Sequence, residues 1–474
     1  MRTSGWLLAC ALLLPVAAWA EGVSALAMAQ TREVPLQLAD AVALALRDNR
    51  AIRSAHLQRR VEKFDLRVAR NRYSPQLSLK ARYYANRNQS ERYREAEFAP
   101  SANLLTPYGT RLSMDWSYGH TQLHESGRRY RDGANLMVIQ PLLRGAGPAV
   151  AGAPLRQAQL SDQLNRLALK DNIAHAISQV IFLYRALVRA QEQQKIAEQA
   201  VRRARQLVQV NQALITAGRM AAFEIIQAEA EVATQELAQE SSRSQLQQSR
   251  LALAQALAID LATPLRAVDE VEVQQVHVDA AQALARAEAL QPAYLMQRIT
   301  GEQLAVDLLV ARDQQWWDLS LVAGASQARE RPGSQSSWQR YVGLELEVPL
   351  GDLSQRQAEV HAEAALQRHQ LTKAEAYQQL QRDVTDAVRD IQVRWRQLEI
   401  ARRALSLSQR KLDVEQEKLA LGRSSNFEVL SFESDLRHAQ NAHLDAAIAY
   451  LNGQAALDRI QGSTLQSWGV DVYD

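Results

Sequence analysis

Carboxylates and guanidiniums carry most of the chemical potential of this 474-residue chain, because thiol and imidazole are scarce: one cysteine, Cys10, and nine histidines. Only His120 and His124 stand i, i+4, the separation that would put two imidazoles on one helix face to grip a metal ion. Gly119 and Gly127 flank them, which reads as a loop, and the other histidines lie singly on helical patterns as surface or packing residues. No glycine-rich phosphate loop, nucleophile elbow or metal-ligand cluster occurs. The expectation is a protein that is not an enzyme and holds neither cofactor nor metal.

The charged residues do form one organised pattern, and it occurs twice. Gly218, Arg219, Phe223, Glu224 and Glu229 recur as Gly422, Arg423, Phe427, Glu428 and Glu433, each 204 residues later. A glycine can take the left-handed conformation that ends one helix. The Phe and Glu then open the next helix, whose dipole favours an acid in its first turn. Gly218 and Gly422 are therefore expected to be the tight turns of two helical hairpins. Read locally, Glu224 and Glu428 are first-turn acids.

Such turns require long helices on both sides. After Pro154 the chain runs to Ala217 without Pro or Gly, and Ile173, Ile177, Val180, Tyr184, Leu187 and Val188 mark one apolar stripe. Roughly 64 residues give about 95 Å of helix, far too long for a compact globular domain. Residues 223–259 return as a shorter helix, and residues 260–278, with Pro264, form an irregular link. The second half follows the same order, with a helix over 283–312, a strand pair, a long helix over 352–421 and a return over 425–460. On the second long helix Val384, Val388, Ile391, Trp395 and Leu398 share a stripe. Residues 36–72 open the first half as helix, with Leu38, Val42 and Leu46 at helical spacing.

Between the helices the period changes to two. Leu77, Leu79, Ala81 and Tyr83 alternate with polar residues, as do Leu112, Met114, Trp116 and Tyr118, and Val342, Leu344, Leu346 and Val348. Residues 135–142 and 318–325 are further strand candidates. Alternating strands with aromatics near their ends fit a barrel wall that is apolar outside and polar within, and a half-buried soluble sheet fits equally. Trp316, Trp317, Trp338, Tyr83 and Tyr118 are candidate interfacial aromatics. A chain that enters and leaves on one membrane side crosses an even number of times, so the three candidates of residues 76–142 cannot all be full crossings. Leu77 and Leu319 are equivalent, as are Pro141 and Pro349, which makes the first strand region 34 residues longer than the second.

Residues 1–20 stand apart from the fold. Arg2 supplies a positive n-region, residues 6–16 an apolar core and Ala18-Trp19-Ala20 a small-x-small cleavage site, which together signal export. Cys10 lies inside this segment, in a stretch faintly like a lipoprotein box, so the mature chain is expected to lack disulfide and thiol chemistry. The formal charge is +3 with acids and bases interleaved, which leaves no footprint for nucleic acid. No later stretch has 18 consecutive apolar residues, so no transmembrane helix is expected.

Three features together resemble the TolC family of outer-membrane efflux proteins across essentially the whole mature sequence. They are Gln140-Pro141-Leu142-Leu143-Arg144-Gly145 at the first strand-to-helix junction, the paired Gly-Arg…Phe-Glu turns, and the ending Leu430-Ser431-Phe432-Glu433. The resemblance implies an α+β membrane protein of two structural repeats, residues 21–265 and 266–474. Their strand hairpins would span about 76–141 and 318–349, and their helical hairpins about 154–259 and 352–460. It further implies a homotrimer, with four strands per chain closing a 12-stranded outer-membrane barrel on a long periplasmic helical tunnel in a Gram-negative envelope. Such a conduit receives substrate from an inner-membrane pump of the resistance-nodulation-division (RND) or ABC type through a periplasmic adaptor, and it is passive. The family closes its tunnel at the helical turns. On that basis Glu428 would be an acid of the constriction, Ser431 would stand where relatives carry a second acid, and Glu224 would hold the closed state with Arg219 or Arg423 nearby. Gly218, Gly422, Phe223 and Phe427 would form the tips that meet the adaptor. A periplasmic adaptor and a coiled-coil scaffold are the alternatives. Adaptors usually carry one helical hairpin rather than two, and a scaffold has no use for strand pairs.

Overall fold

The computed structural model describes residues 33–87, 92–123, 127–333 and 335–472. The expected export segment, with Cys10, and His124 lie outside the described residues. Chain order is β1 (Val34–Leu36), α1 (Leu38–Asp48), α2 (Arg50–Asn71), then four strands β2 (Gln76–Arg87), β3 (Arg92–Leu105), β4 (Arg111–Leu123) and β5 (Gly127–Pro141). The single turn α3 (Pro148–Ala151) leads into α4 (Ala153–Thr216) and α5 (Glu224–Leu257), followed by β6 (Leu265–Ala267). The remainder is α6 (Ala280–Leu290), α7 (Pro292–Asp313), β7 (Asp318–Arg331), β8 (Gln335–Glu347), α8 (Ser354–Ala420), α9 (Asn426–Gln461) and α10 (Thr464–Ser467).

The helices α4 and α8 have 64 and 67 residues, about 100 Å each at 1.5 Å per residue. The expected helices over 36–72 and 283–312 are each two helices. Asn49 ends α1 and caps α2 by accepting from Ala51 N at 2.8 Å and Ile52 N at 3.2 Å. Pro292 occupies the first turn of α7. Midway along the long helices, α1 and the parallel pair β1–β6 pack on α4 and α5 through Leu36, Ala41, Ala45, Leu253 and Leu265. Tyr184 pins this layer by donating from its hydroxyl to Leu36 O at 2.8 Å, and burial raises the proton affinity of that phenol. In the second half Ala283 and Ala287 pack on Val384, Val388 and Ile391, and the Tyr450 hydroxyl accepts from Val276 N at 2.9 Å. One stretch of α4 is apolar and long enough by composition to cross a membrane, but 61% of it is buried inside the protein.

The sheet is the larger departure from expectation. Six strands form one antiparallel meander in the order β2-β3-β4-β5-β7-β8, so the chain supplies six strands rather than four. The strand absent from the sequence reading is β3, which none of the three candidates of residues 76–142 covers. It makes the count even: β2 to β5 are four strands where three candidates were visible. Pro100 hides β3, because proline cannot donate to a ladder and argues against an interior strand. In the fold β3 pairs with β4 above and below this point, from Phe98↔Tyr118 to Ser101↔Asp115, and the ladder skips residues 99–100. The turn between β3 and β4 docks on the junction below the sheet, where Gly147 N donates to Tyr108 O at 3.2 Å. Gly109 has φ +91° there, and a Cβ would meet Gly145 O at 2.5 Å.

Register separates the two faces of the sheet. Leu77, Leu79, Phe98, Leu112, Met114, Trp116, Leu136, Val138, Leu321, Val342 and Leu344 share one face through the pairs Ala81↔Phe98, Leu112↔Val138 and Ala323↔Val342. Leu77 is 80% exposed and Val342 76% exposed, so this face has no cover among the described residues. The opposite face carries Lys80, Arg82, Glu95, Glu97, Asp115, Arg131 and Glu330, and pairs Arg82 with Glu97 and Arg131 with Glu330. His120, expected in a loop, lies on β4 with its ring centroid 4.8 Å from that of Tyr130.

Candidate functional site

Two helical turns at the end remote from the sheet bring the duplicated motif together. At the first, Arg219 N donates to Leu214 O at 2.9 Å and Gly218 N to Ile215 O at 2.9 Å. At the second, Arg423 N donates to Lys418 O at 2.8 Å and Gly422 N to Leu419 O at 2.9 Å. Each is a Schellman closure, and it requires the left-handed glycine found in both, at φ +68° and +73°. The space around both glycines is open, so conformation and not crowding selects them.

The following helices start differently. Ser425 accepts from Glu428 N at 3.2 Å while the Glu428 carboxylate accepts from Ser425 N at 3.3 Å, a complete capping box that α5 lacks. Glu428 also accepts from the Ser424 hydroxyl at 3.0 Å, so its first duty is local. Glu224 is half-buried at the start of α5, whereas Arg219, Arg423, Glu428 and Ser431 are exposed. Within the chain no ion pair joins Glu224 to Arg219 or Arg423 among the described residues. Phe223 and Phe427 project outward at 71% and 68% exposure, which leaves an apolar ring on each turn.

What ties the two hairpins together lies one to three helical turns above the tips, and most of it is invisible in the motif. The Asn426 and Asn211 side chains, both fully buried, are joined by a 3.0 Å hydrogen bond. Asn426 reaches the other hairpin again at Glu224 O and Gln227 Oε1, both at 3.4 Å. Arg203 Nε donates to Glu433 at 2.7 Å, and Arg437 donates to Gln235 at 2.7 Å. A cavity of about 20 Å³ lies among Arg203, Glu433, Gln235 and Arg437, space for a single water. Burial lifts the Glu433 carboxyl above its ordinary range, and the hydrogen bond from Arg203 offsets only part of that rise. Glu415 behaves oppositely: its hydrogen bond from Ser424 and its contact with Lys418 hold it below the usual carboxylate range. The apolar support is Leu207, Leu412, Leu419, Val429 and Leu436. One signal for Asn426 did exist, because the two copies of the motif diverge there, with Ala222 at the equivalent place. Glu433 offered none. Its counterpart Glu229 is exposed, and only the packing of α4 on α9 distinguishes them.

At the other end, the Gln140–Gly145 stretch stitches sheet to helices. Arg144 pairs with Asp318 at 2.7 Å, Gly145 N donates to Asp313 at 2.7 Å, and Leu142 N donates to Leu319 O at 2.8 Å. Among the described residues no group of three His, Cys, Asp or Glu side chains is placed to hold a metal ion.

The chain matches no protein-family model, and no curated protein matches it in sequence. Its fold does match solved structures closely. CusC, a protein reported to form a transmembrane channel, is 18% identical, with a TM-score of 0.69 over 91% of this chain and 93% of that one. The CmeC outer-membrane channel of Campylobacter jejuni is 14% identical, with a TM-score of 0.68 over 90% and 86%. The outer-membrane protein VceC of Vibrio cholerae is 14% identical, with a TM-score of 0.68 over 90% and 96%. The chain thus has the fold of these outer-membrane channels, a long helical element joined to a β-sheet element.

Proposed function

We propose that this protein is the passive outer-membrane conduit of a tripartite export system in a Gram-negative envelope, with most of its length in the periplasm. Substrate would arrive from an inner-membrane pump of RND or ABC type through a periplasmic adaptor. One observation carries the reading: helices of about 100 Å end in a sheet whose apolar face is uncovered and whose two edges, β2 and β8, are unpaired among the described residues. Lipid covers such a face readily, but it cannot satisfy open edges, so copies of the chain must close the sheet on itself. Similarity of fold to the channels above supports the same end. We infer a homotrimer, in which three sets of six strands would give about eighteen, a number that leaves an aqueous lumen in porins. The 12-stranded barrel expected from four strands per chain is set aside with that count. The charged face, with Arg82, Glu97, Arg131 and Glu330, would line the lumen.

The tips are proposed as the closure. Glu428 would face the axis, where three like charges repel and draw cations. Glu224, Arg219, Arg423 and Ser431 would complete the constriction. Phe223 and Phe427, presented on the Gly218 and Gly422 turns, would meet the adaptor. The mass of the detergent-extracted mature protein, with images of single particles, tests the assembly. The expected particle is a trimer roughly 140 Å long, about 100 Å of helix and about 40 Å of bilayer. A monomer soluble without detergent would sink the reading.

A further inference from the structure

The apolar face of the sheet is not uniform. Toward the hairpin ends farthest from the helices it becomes cationic: Arg94, Arg128, Arg329, Arg331 and Arg340 all fall on it by register, and all are exposed. The one acid on this part of the face among the described residues is Asp132, directly across from Arg329. None of the five arginines is in an ion pair with a described residue, whereas Arg82 and Arg131 on the opposite face are both matched with glutamates. The two faces are therefore built on different electrostatic plans. On the polar face Arg82 and Arg131 are matched within the chain, and the apolar face leaves its five arginines for something outside the chain.

Below Arg340 the apolar face is hollow. The small residues Ala323 and Ala325 of β7 lie between bulkier neighbours, Leu136 and Val138 on β5 and Val342 on β8. Together with Arg340 they border a groove of about 390 Å³. At its upper end the Arg340 guanidinium turns back toward the hairpin end, with its carbon 5.5 Å from the centre of the Trp338 ring. This bends a charge away from the apolar band and toward the level of Arg329 and Arg331.

An apolar groove headed by unmatched guanidiniums, on a face turned to lipid, fits one class of molecule. We propose that β5, β7 and β8 form a site for an anionic, phosphate-bearing lipid of the leaflet on the hairpin side. One acyl chain lies over Ala323 and Ala325, and the phosphate is held by Arg340, Arg329 and Arg331. Arginine suits this task because its planar fork grips phosphate oxygens in pairs and sheds water more readily than an ammonium. Arg94 and Arg128 extend the cationic collar across the neighbouring strands, so further headgroups would meet the same potential. The inference rests on the reading of this sheet face as lipid-facing.

Native mass spectrometry of the full-length, detergent-extracted protein tests it, with phosphatidic acid, the matching diacylglycerol and inorganic phosphate as separate probes. Phosphatidic acid is expected to remain bound. The triple variant R329Q/R331Q/R340Q, with unchanged oligomeric mass, should retain about tenfold less, the scale of a single charge-assisted hydrogen bond. Ala323→Phe, which fills the groove and keeps every arginine, should reduce retention as well. Equal retention of diacylglycerol would mean that the face takes any acyl chain, and the phosphate site is then wrong. Retention of inorganic phosphate to the same degree would make it a plain anion site, which also overturns the proposal, as would full retention by both variants. Flotation of the protein with vesicles separates the two levels. A protein that fails to float removes the lipid-facing reading and the site together, and one that floats without selecting phosphatidic acid removes the site alone.

Discussion

Glu428 closes the start of its own helix and is also the acid proposed for the constriction. Its carboxylate closes the capping box with Ser425, and its charge sits at the tip where closure is proposed. The two roles separate by substitution, because glutamine also completes this box. Glu428→Gln should leave the melting temperature nearly unchanged while altering cation block and conductance in planar bilayers. Glu428→Ala should in addition cost about 1 kcal/mol of local stability. Unchanged single-channel behaviour in the Gln variant would end the constriction role. Glu433 makes a prediction of opposite character. Its carboxyl is raised by burial, so its contribution to the closed tip is fullest at pH below its ordinary range and is lost as pH rises through the raised value. If opening exposes Glu433, lowering the pH through its raised value toward the ordinary carboxylate range should favour the closed state, and Glu433→Gln should abolish that dependence. A channel that opens more readily on acidification, with wild-type Glu433 in place, would contradict this sign. Glu433→Ala leaves Arg203 buried without its carboxylate and should loosen the tip by about 3 kcal/mol, visible as vancomycin sensitivity.

At the scale of elements, glycines with the same conformation end helices for different reasons. Gly422 and Gly462 both stand at φ +73°, but a Cβ at Gly422 meets nothing, whereas one at Gly462 would lie 2.6 Å from Leu290 O. Gly422→Ala should therefore cost only the left-handed penalty, about 1 kcal/mol. Gly462→Ala must also displace the end of α6 and should lower the melting temperature several degrees further. Equal losses in a thermal melt would show that crowding at Leu290 relaxes freely. The same logic applies inside the sheet. Gly324 lies under Tyr341, whose ring would collide with a Cβ, so the aromatic occupies the space that glycine leaves. Boundaries of the long helices were legible to within one or two residues, because their stripes and flanking Gly and Pro are strong local signals. The breaks at Asn49 and Pro292 were not resolved, since an apolar stripe passes through each.

For the whole molecule, the extra pair β3–β4 is the feature that most alters the expected assembly. It accounts for the 34 residues by which the first strand region exceeds the second. Deleting residues 88–121 removes the same length and leaves β2 to meet β5 as β7 meets β8. The expected product is still a trimer, now with a barrel of about twelve strands and a smaller conductance. A deletion variant with unchanged conductance would mean that the helical tunnel, and not the barrel, limits flow. The two helical turns are far from this change, and the docking proposed for them should be kept.

The sequence by itself determined the long helices, their two glycine turns, the alternating strands and hence the class of fold. Those signals are periodicities and conformational preferences, which adjacent residues carry within a few turns. That the sheet has six strands, that Glu433 is half-buried while Glu229 is exposed, and that Asn211 meets Asn426 come from tertiary packing alone. Each of these depends on which distant segment supplies the missing partner. Pro100 weakens a strand that β2 and β4 hold in place from both sides, and two glutamates with the same local pattern differ because α4 packs against Glu433 and leaves Glu229 in solvent.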